Sequence, residues 1–527
     1  MTELRLVPAA LTVWAVVLAT ILSRDSALGI VVIGVAVLAC VLLRQWGQAL
    51  FVAGVSCAGL VTCWLRIVRS RCLADLAGRV TLRVHGVRQT SSGGYLLDTG
   101  GLPVLVKEKV EAGSVITANI HTMPSDRPSV EGVLGIGRNI EVLRGGGWAQ
   151  GMRADFAAAV ARIAGSDTRG LIPGMVLGDT SLQTPDEQSV YISTGLSHLS
   201  AVSGSNIAIV TTVAVLTLGW AGPYIRTAGA AAVLLGYVFL VGPEPSVLRA
   251  AVTGVVGLTA VVASRRSEPV HALCLAVIGL VVWDSNLAVN YGFALSVAAT
   301  AGIVVVSPLV AQALGFLPDL LARALAVAIA ADVVTMPIIA LMSGRVSLVS
   351  VVANLLAGIA VAPVTVLGLC GAVAMLLPGG GEGVFIRLAE PGAWWIHAVA
   401  TWANNLPHAT VGISAAWAVV VAGWIVYLIL DGHPRLVATV VALVVIGGGH
   451  LPWRAGPPQA TFNTVVGVND YDGKDYIDAQ VIVDSSPGRP HERATVTRWG
   501  QPVIYPERDG RVTIYADGTQ HAESGAF

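Results

Sequence analysis

The sequence GLSHLSAVSGSNIAIV, from Gly195 to Val210, places polar side chains directly before an apolar run. If that run crosses a membrane, the polar segment lies at or near membrane depth. Irregular backbone is tolerated there only inside protein or beside a water-filled cavity. An ordinary extramembrane loop followed by a helix cap is the alternative that this spacing leaves open. The polar residues of the segment are Ser197, His198, Ser200, Ser203, Ser205 and Asn206.

The composition of the whole chain is that of a membrane protein. Of its 527 residues, 54% are hydrophobic and 12% are charged, whereas soluble domains carry roughly 25% charged residues. The apolar residues are gathered into long runs separated by short segments with glycine, proline and arginine, which indicates several membrane spans. The net charge is zero, so any attraction of a nucleic acid must be local.

Apolar runs predict helices on both sides of the opening segment. The N-terminal runs, within residues 1–65, are Val7–Leu22, Ala27–Leu43 and Ala49–Leu65. Each approaches the ~20 residues that cross a hydrocarbon core. Later spans are predicted near residues 205–220, 227–241, 246–264, 269–283, 290–308, 320–342, 347–360, 361–377, 411–430 and 435–448. Segment 391–408 is rich in tryptophan and is typical of a helix lying at the membrane interface.

Three other segments depart from this apolar pattern. Polar and apolar residues alternate over residues 79–144, which predicts a small β-domain outside the bilayer. Residues 150–165 carry an apolar stripe at helical spacing, which predicts an amphipathic interfacial helix, with a plain connector helix as the alternative. Residues 449–527 are polar and predict a β-rich soluble tail, in which Asp470 and its acidic neighbours form a solvated turn.

Two charged residues lie inside predicted spans. A charge at the centre of a span costs ~2.5–3.5 kcal/mol on insertion scales. Arg249 lies near the start of its span and either snorkels outward or lines a pore. Asp332 lies in the middle of its span, before Pro337. It either lines a pore or pairs with Arg249 or another base.

The distribution of arginine in short loops predicts the orientation, because such loops tend to stay cytoplasmic. A cytoplasmic N-terminus places most of these loops on the cytoplasmic side, and it places the β-domain and the tail outside. The cluster around Arg69 opposes this orientation. The supporting arginines are Arg44, Arg226, Arg265, Arg266, Arg323 and Arg435.

The run Gly195–Asn206 resembles the signature of the ComEC competence domain. Further stretches match the same family pattern in the same order, namely Gly174–Gly178, Gly242–Ala251, Gly292–Ser296, and Ser347–Asn354 with Ala362-Pro363. The order of spans, a β-domain resembling the family's OB-fold and an amphipathic helix also fits. The resemblance covers residues 1 to about 448, with residues 170–448 as the competence-type transmembrane domain.

This resemblance implies a channel for single-stranded DNA in the bacterial cytoplasmic membrane during natural transformation. Arg249 would then line the pore and meet phosphate. Asp332 departs from the family, which more often has an uncharged polar residue there, and an acid on a DNA path would repel phosphate. A transporter of another solute and a non-transporting membrane remnant are the alternatives. The candidate channel-lining residues are His198, Ser200, Ser203, Ser205, Asn206, Arg249 and Asp332.

The resemblance also predicts which functions belong to partners. ComEC relatives commonly end in a metallo-β-lactamase-like domain, which needs a His-x-His-x-Asp-His cluster to hold its metals. This sequence has no such cluster and no GxxxxGK[ST] loop for nucleotide. We therefore expect no catalytic residues, metal or cofactor, and we expect single-stranded DNA, the lipid bilayer, a cytoplasmic ATPase and a separate nuclease as partners. The oligomeric state is left open.

Overall fold

The apolar runs fold into helices in the computed structural model. Within the described residues, four helices are long and apolar enough to cross a membrane, or five if one bent pair counts as a single span. Further apolar helices have 10–17 residues. The predicted helical membrane fold with added β-sheets is confirmed. The chain divides into two units, Met1–Ile446 and Gly447–Phe527. The structure describes residues 5–71, 76–89, 94–108, 110–111, 113–125, 128–242, 245–262, 269–378, 380–406, 408–447, 465–468, 480–487, 495–497, 501–514 and 520–522.

Three helices occupy the N-terminal apolar runs: α1 (Val7–Ser23), α2 (Ser26–Leu42) and α3 (Trp46–Ser70). They pack against one another in all three pairs. The Asp25 side chain accepts a hydrogen bond from the backbone N–H of Ala27 at 3.1 Å and so begins α2. α3 continues beyond its apolar run to Ser70 and brings Arg66 and Arg69 into the helix.

The alternating residues form one six-stranded sheet. Its strands are β1 (Ala77–Arg83), β2 (Gly86–Gln89), β3 (Tyr95–Asp98), β4 (Val104–Val106), β5 (Val115–Pro124) and β6 (Val133–Arg144). They lie in the order β1-β5-β6-β4-β3-β2, and β4 and β6 form the parallel pair. The two edge strands, β1 and β2, are separated along the chain by Val84 and His85 alone. Because three Cα–Cα steps join Arg83 to Gly86, the end of β1 lies within about 11 Å of the start of β2.

The loop that ends with Glu131 attaches this sheet to the helices. Arg24 donates a hydrogen bond through Nη1 to the Val130 carbonyl at 2.6 Å. The Val130 N–H donates to Oδ1 of Asn286 at 2.7 Å, and the Asn286 amide donates to the Glu131 carboxylate at 3.1 Å. Backbone and side chain of the loop are therefore both held by the helical part of the protein.

Asn286 belongs to a 3₁₀ turn, Ser285–Val289, that carries this attachment. Asp284 caps the turn and forms an ion pair with Arg66 of α3 at 3.0 Å. Burial raises the pKa of the Glu131 carboxyl above its ordinary value, and Asp284 adds to the rise, while the Asn286 hydrogen bond and Arg66 oppose it. The contact between the β-domain and the helices thus includes an acid that resists ionisation.

The remaining helices of the first unit follow in chain order. They are α4 (Trp148–Ile163), α5 (Leu171–Leu177), α6 (Pro185–Ser193), α7 (Gly204–Thr217), α8 (Pro223–Val241), α9 (Pro245–Val262), α10 (Pro269–Trp283), α11 (Tyr291–Val305), α12 (Ser307–Ala313), α13 (Asp319–Ser343), α14 (Ser350–Ala374), α15 (Glu382–Asn404), α16 (Ala415–Leu430) and α17 (Pro434–Gly447). The pair α11 and α12 bends by 45°. Short strands β7 (Arg345–Ser347) and β8 (Thr410–Gly412) pair antiparallel.

The predicted amphipathic helix is α4, and its apolar stripe is buried in protein. Met152, Phe156 and Val160 pack into one core with α5, α14 and α15. Phe156 and Val160 are 0% exposed. This face of α4 is therefore covered by other helices and is not available to a membrane surface.

The prediction of two spans at 347–360 and 361–377 is wrong, because α14 is a single helix of 25 residues. The helix continues through Pro363, as packed membrane helices allow when neighbours support the backbone. α15 also begins earlier than the predicted segment 391–408 and contains Pro391. The two long helices pack against each other along most of their length, which supports the backbone beside each proline.

The second unit contains a four-stranded sheet and a separate pair of strands. The sheet has the order β11-β12-β10-β9, formed by β9 (Val465–Val468), β10 (Val481–Asp484), β11 (Thr495–Val496) and β12 (Pro502–Ile504). A short helix α18 (Pro506–Asp509) precedes the pair β13 (Val512–Ile514) and β14 (Gln520–Ala522). Ile482 and Val503 form the small core of the four-stranded sheet. The acidic run that includes Asp470 lies outside the described residues.

Candidate functional site

All 7 residues of the short helix α5, which precedes the polar segment, are buried. The last carbonyl groups of a helix have no partner within it and need donors from elsewhere. The Asn206 amide donates to the Met175 carbonyl at 2.7 Å, and the Tyr237 hydroxyl donates to the Val176 carbonyl at 2.9 Å. Asn206 is 1% exposed. Its amide therefore joins the start of α7 to the end of α5.

The polar segment runs inside the protein against α5. A Cβ on Gly174 would lie 2.3 Å from the carbonyl oxygen of Ser200, so only glycine allows this approach. The Gln183 amide donates to the same carbonyl at 2.5 Å. The Ser200 hydroxyl donates to the Ser197 carbonyl at 2.9 Å, and Ser200 is buried. Ser200 is thus part of the packing that holds the segment.

His198 belongs to the same segment, but its side chain is exposed. The nearby turn at Gly195 has a φ of 72°, and a Cβ there would lie 2.6 Å from Cβ of Ser350. Asn354 donates to the Gly195 carbonyl at 3.4 Å, and the Ser350 hydroxyl donates to Asp332 at 2.6 Å. Through α14, the turn is therefore connected to Asp332 of α13.

Arg249 and Asp332 do not form the ion pair that the sequence left open. Asp332 accepts its side-chain hydrogen bond from Ser350, while Nε of Arg249 donates to the hydroxyl of Ser296 at 2.7 Å. The helices that carry the two charges, α9 and α13, both pack against α11. The base and the acid therefore belong to separate parts of the site.

Two serines mark the beginning of α7. Ser203 is the N-cap, with extended backbone, but its side chain caps no N–H group. Its hydroxyl lies 2.6 Å from the hydroxyl of Ser205 instead. Ser203 is half-buried and Ser205 is exposed. In the described part of the chain, the N–H groups of Gly204 and Ser205 donate to no protein acceptor, which leaves the positive end of α7 open.

Arg249 lies directly against this end of α7. A Cβ on Gly204 would be 2.7 Å from Nη2 of Arg249, so the missing side chain makes room for the guanidinium. Arg249 is 6% exposed, and among the described residues its side chain donates a hydrogen bond to the Ser296 hydroxyl. No carboxylate in the described chain forms an ion pair with it. Within the part of the chain that the structure describes, a buried positive charge thus lies beside a positive helix end without an acid paired to it.

The structure adds three residues that sequence reasoning did not single out: Ser296, Ser350 and Asn354. Ser296 orients Arg249, and the other two connect the turn at Gly195 with α14. Each lies in Gly292–Ser296 or Ser347–Asn354, two of the stretches that match the family pattern. That match is the sequence signal that could have identified them. Their partners could not be read from the sequence, because they lie on other helices.

An apolar cleft of about 620 Å³ runs between α7 and α14. It begins one turn after Ser205, on the same helix whose polar start carries the site. Thr212 is its polar contribution, and Pro363 forms part of the opposite wall. The full lining is Ala208, Ile209, Thr212, Val213, Ala362, Pro363, Val366 and Leu367.

This site can bind a ligand through hydrogen bonds and through its positive charge. Within the described residues, no three or more His, Cys, Asp or Glu side chains are grouped so that they could hold a metal ion. The cysteines described there are free thiols. What the site offers is a guanidinium, two hydroxyls and open backbone N–H groups, all of which can donate to an anion.

Comparison with known proteins places this site inside one family domain. A family model described as Competence protein matches residues 175–433, a range that contains every candidate site residue. ComE operon protein 3 of Bacillus subtilis (strain 168) is 29% identical over 198 residues, which are 36% of this chain and 24% of that protein. The match therefore spans about a quarter of that relative's length. No solved structure matches the chain. These two matches support membership of the chain in the ComEC family of competence proteins.

Proposed function

We propose that this protein forms a passage for single-stranded DNA through the bacterial cytoplasmic membrane during natural transformation. The observation that carries the proposal is Arg249, which is buried, faces the open end of α7 and has no acidic partner in the described chain. A cation kept in this state inside a membrane protein marks a path for an anion. The relative's name, ComE operon protein 3, supports a role in competence.

Within this proposal, the passage follows the polar segment and the N-terminal end of α7. His198, Ser203 and Ser205 are accessible and face it, and Arg249 lies behind Gly204. Ser200 and Asn206 hold the segment in place through backbone contacts with α5 and the chain around it. Asp332 lies near the turn at Gly195, away from Arg249.

We also propose that the six-stranded sheet is an OB-like barrel on the outer side of the membrane. Its two edge strands are almost continuous in the chain, which supports closure of the sheet, as in a small Greek-key barrel. Tyr95 is the one aromatic residue of this region, whereas single-strand binders stack several bases on aromatic side chains. We therefore propose a structural or gating role for the barrel and not base recognition.

In this proposal, other proteins supply the energy and degrade the second strand. A cytoplasmic ATPase and a separate nuclease are the partners that we expect. The N-terminus would be cytoplasmic and the C-terminal tail extracytoplasmic, following the arginine distribution in the short loops.

The test is uptake of labelled DNA by the natural host in its competent state. We expect deletion of the gene to abolish both the internalised label and transformation, and the wild-type gene to restore them. Arg249→Ala should reach the membrane in normal amount and reduce uptake strongly. Arg323→Ala removes an exposed arginine of α13 and should behave as wild type. Unchanged uptake after deletion would refute the proposal.

A transporter of another solute is the second candidate, and Asp332 is the observation that favours it. The acid is hydrogen-bonded to Ser350 and lies in a membrane-spanning helix, where ionisable groups often mark pathways for ions or protons. If DNA uptake is unchanged on deletion while growth depends on the gene under defined nutrient conditions, this second function gains support.

A further inference from the structure

We propose that Ser203, Gly204, Ser205 and Arg249 form a binding site for one phosphate group of the transported strand. This inference rests on the proposed function and goes beyond it, because it assigns a discrete anion site and its donors. The first step is electrostatic. The N-terminal end of a helix carries about +0.5 elementary charge, and α7, with 14 residues, leaves its first N–H groups open.

The second step is the position of Arg249. Its Nη2 atom comes so close to Gly204 that a Cβ there would lie 2.7 Å away. Arg249 is 6% exposed, and among the described residues its Nε donates to a protein acceptor, the Ser296 hydroxyl. Two positive groups in contact repel each other, so an anion between or beside them would stabilise this arrangement.

The third step is the match between the donors and a phosphate. A tetrahedral oxyanion accepts from backbone N–H groups at a helix start, from hydroxyls and from the planar fork of arginine. The Ser203 and Ser205 hydroxyls, 2.6 Å apart, can both turn to the same ligand. Because the site contains one arginine and no lysine, it binds a phosphate weakly enough to release it again, as a conducting passage requires.

The experiment measures binding to the full-length protein in nanodiscs of uncharged lipid. The probe is a fluorescent thymidine oligonucleotide, read by anisotropy at several salt concentrations. Arg249→Gln should weaken binding about ten-fold or more, because hydrogen bonds to a charged group are lost. It should also reduce the slope of log affinity against log salt by about 0.7, the amount expected for one phosphate of a single strand.

Matched variants separate charge from geometry. Arg249→Lys should keep the salt slope and recover part of the affinity. A double variant, Ser203→Ala with Ser205→Ala, should lower the affinity and leave the slope unchanged, because it removes donors without charge. Arg323→Gln, at an exposed position, should change neither quantity. If Arg249→Gln does not fold, the serine double variant and Gly204→Ala, whose Cβ would displace the guanidinium, decide the question.

The probes also identify the source of the phosphate. An oligonucleotide with neutral methylphosphonate linkages should bind the wild-type protein at least as weakly as the normal oligonucleotide binds Arg249→Gln. Excess inorganic phosphate and nanodiscs with phosphatidylglycerol should compete only weakly. Strong competition by either would assign the site to free phosphate or to lipid headgroups instead. Equal affinity of the wild-type protein, Arg249→Gln and the serine double variant would overturn the proposal.

The two proposals can fail separately. If deletion abolishes uptake but Arg249→Gln binds the oligonucleotide normally, the passage stands and the phosphate site is refuted. If the variants lose binding as expected but deletion leaves transformation unchanged, the phosphate site stands and its role in DNA uptake is refuted.

Discussion

Asn206 shows at the residue scale how one polar side chain can support a whole segment. Its amide satisfies the Met175 carbonyl, which lies at the end of a fully buried helix. An unsatisfied buried carbonyl costs about 1–3 kcal/mol. The sequence indicated that Asn206 belongs to a polar group, but it did not show that this group divides into accessible and structural members.

We predict that Asn206→Ala lowers the stability of the protein by about 1–3 kcal/mol, because Met175 loses its donor. The measurement is thermal unfolding in detergent, followed by intrinsic fluorescence. Ser205→Ala is the matched control on the same helix turn, since Ser205 is exposed and its hydroxyl contacts that of Ser203 and no other polar group of the described residues. A melting temperature of Asn206→Ala equal to that of the control would contradict the structural role.

Asp332 tests the two candidate functions against each other. We predict that Asp332→Asn folds normally, because its side-chain oxygen can still accept the hydrogen bond from Ser350. In a DNA passage, removal of the negative charge should leave uptake equal or increased, since phosphate is no longer repelled. The measurement is the internalised label in competent cells, with Asp319→Asn, at the start of the same helix, as the control. A large loss of uptake would mean that the acid itself is needed.

The glycines of the polar segment make room for side chains of other helices. Gly195 faces the side chain of Ser350, and Gly204 faces that of Arg249. The close backbone approach occurs at Gly174, against the Ser200 carbonyl. The sequence shows which residues lack a side chain, but it does not show which residue of another helix fills the space.

At the scale of elements, α14 and α15 differ from the predicted segments, because 347–360 and 361–377 lie in one helix and α15 begins before residue 391. Proline usually ends a helix in soluble proteins, yet Pro363 lies inside α14 and Pro391 lies inside α15. Inside a bundle of apolar helices the same residue is tolerated. Local patterns therefore predicted that helices exist here, and tertiary packing decided where they begin and end.

Small residues on α14 allow it to pack closely against α5. A Cβ on Gly368 would lie 2.3 Å from Cγ2 of Val176. We predict that Gly368→Ala destabilises the protein by about 1–3 kcal/mol through overpacking, measured as a lower melting temperature in detergent. Gly358→Ala is the control on the same helix, because nothing lies within 4 Å of a Cβ at that position. Equal melting temperatures for the two variants would show that α5 and α14 are not closely packed.

At the scale of the whole molecule, the β-domain is attached to the helices through Glu131. The folded state raises the pKa of this acid, so the folded protein holds its proton more tightly than the unfolded chain does. The attachment is therefore stabilised at acid pH and weakens as the pH rises from the ordinary value of 4.5 through the raised pKa. Ionised Glu131 keeps its Asn286 partner, so the attachment loosens without being lost.

We predict that amide exchange in the loop Ser129–Glu131 becomes faster as the pH rises through this range, after correction for the intrinsic effect of pH. Hydrogen exchange with mass spectrometry measures this rate. Glu131→Gln keeps an acceptor for the Asn286 amide and cannot ionise, so its corrected exchange should not depend on pH. A wild-type protein whose corrected exchange is also independent of pH would contradict the prediction.

The family and the helical fold could be predicted from the sequence, because composition and ordered stretches are local properties. The β-domain was also predicted as a set of strands, from alternation alone. The arrangement at Arg249 could not be predicted, since it depends on α7, α9 and α11 meeting at Gly204 and Ser296. The sequence even left open a pairing of Arg249 with Asp332, which the packing of the intervening α11 prevents.

The length of α7 has a consequence for the lipid around it. A helix of 14 residues is about 21 Å long, roughly 9 Å shorter than a ~30 Å hydrocarbon core. With one end of an upright α7 at a bilayer surface, the Ser203 end falls short of the opposite surface. The bilayer must then thin locally, or water must enter the protein to meet that end. Either response shortens the low-dielectric distance across the membrane at this point.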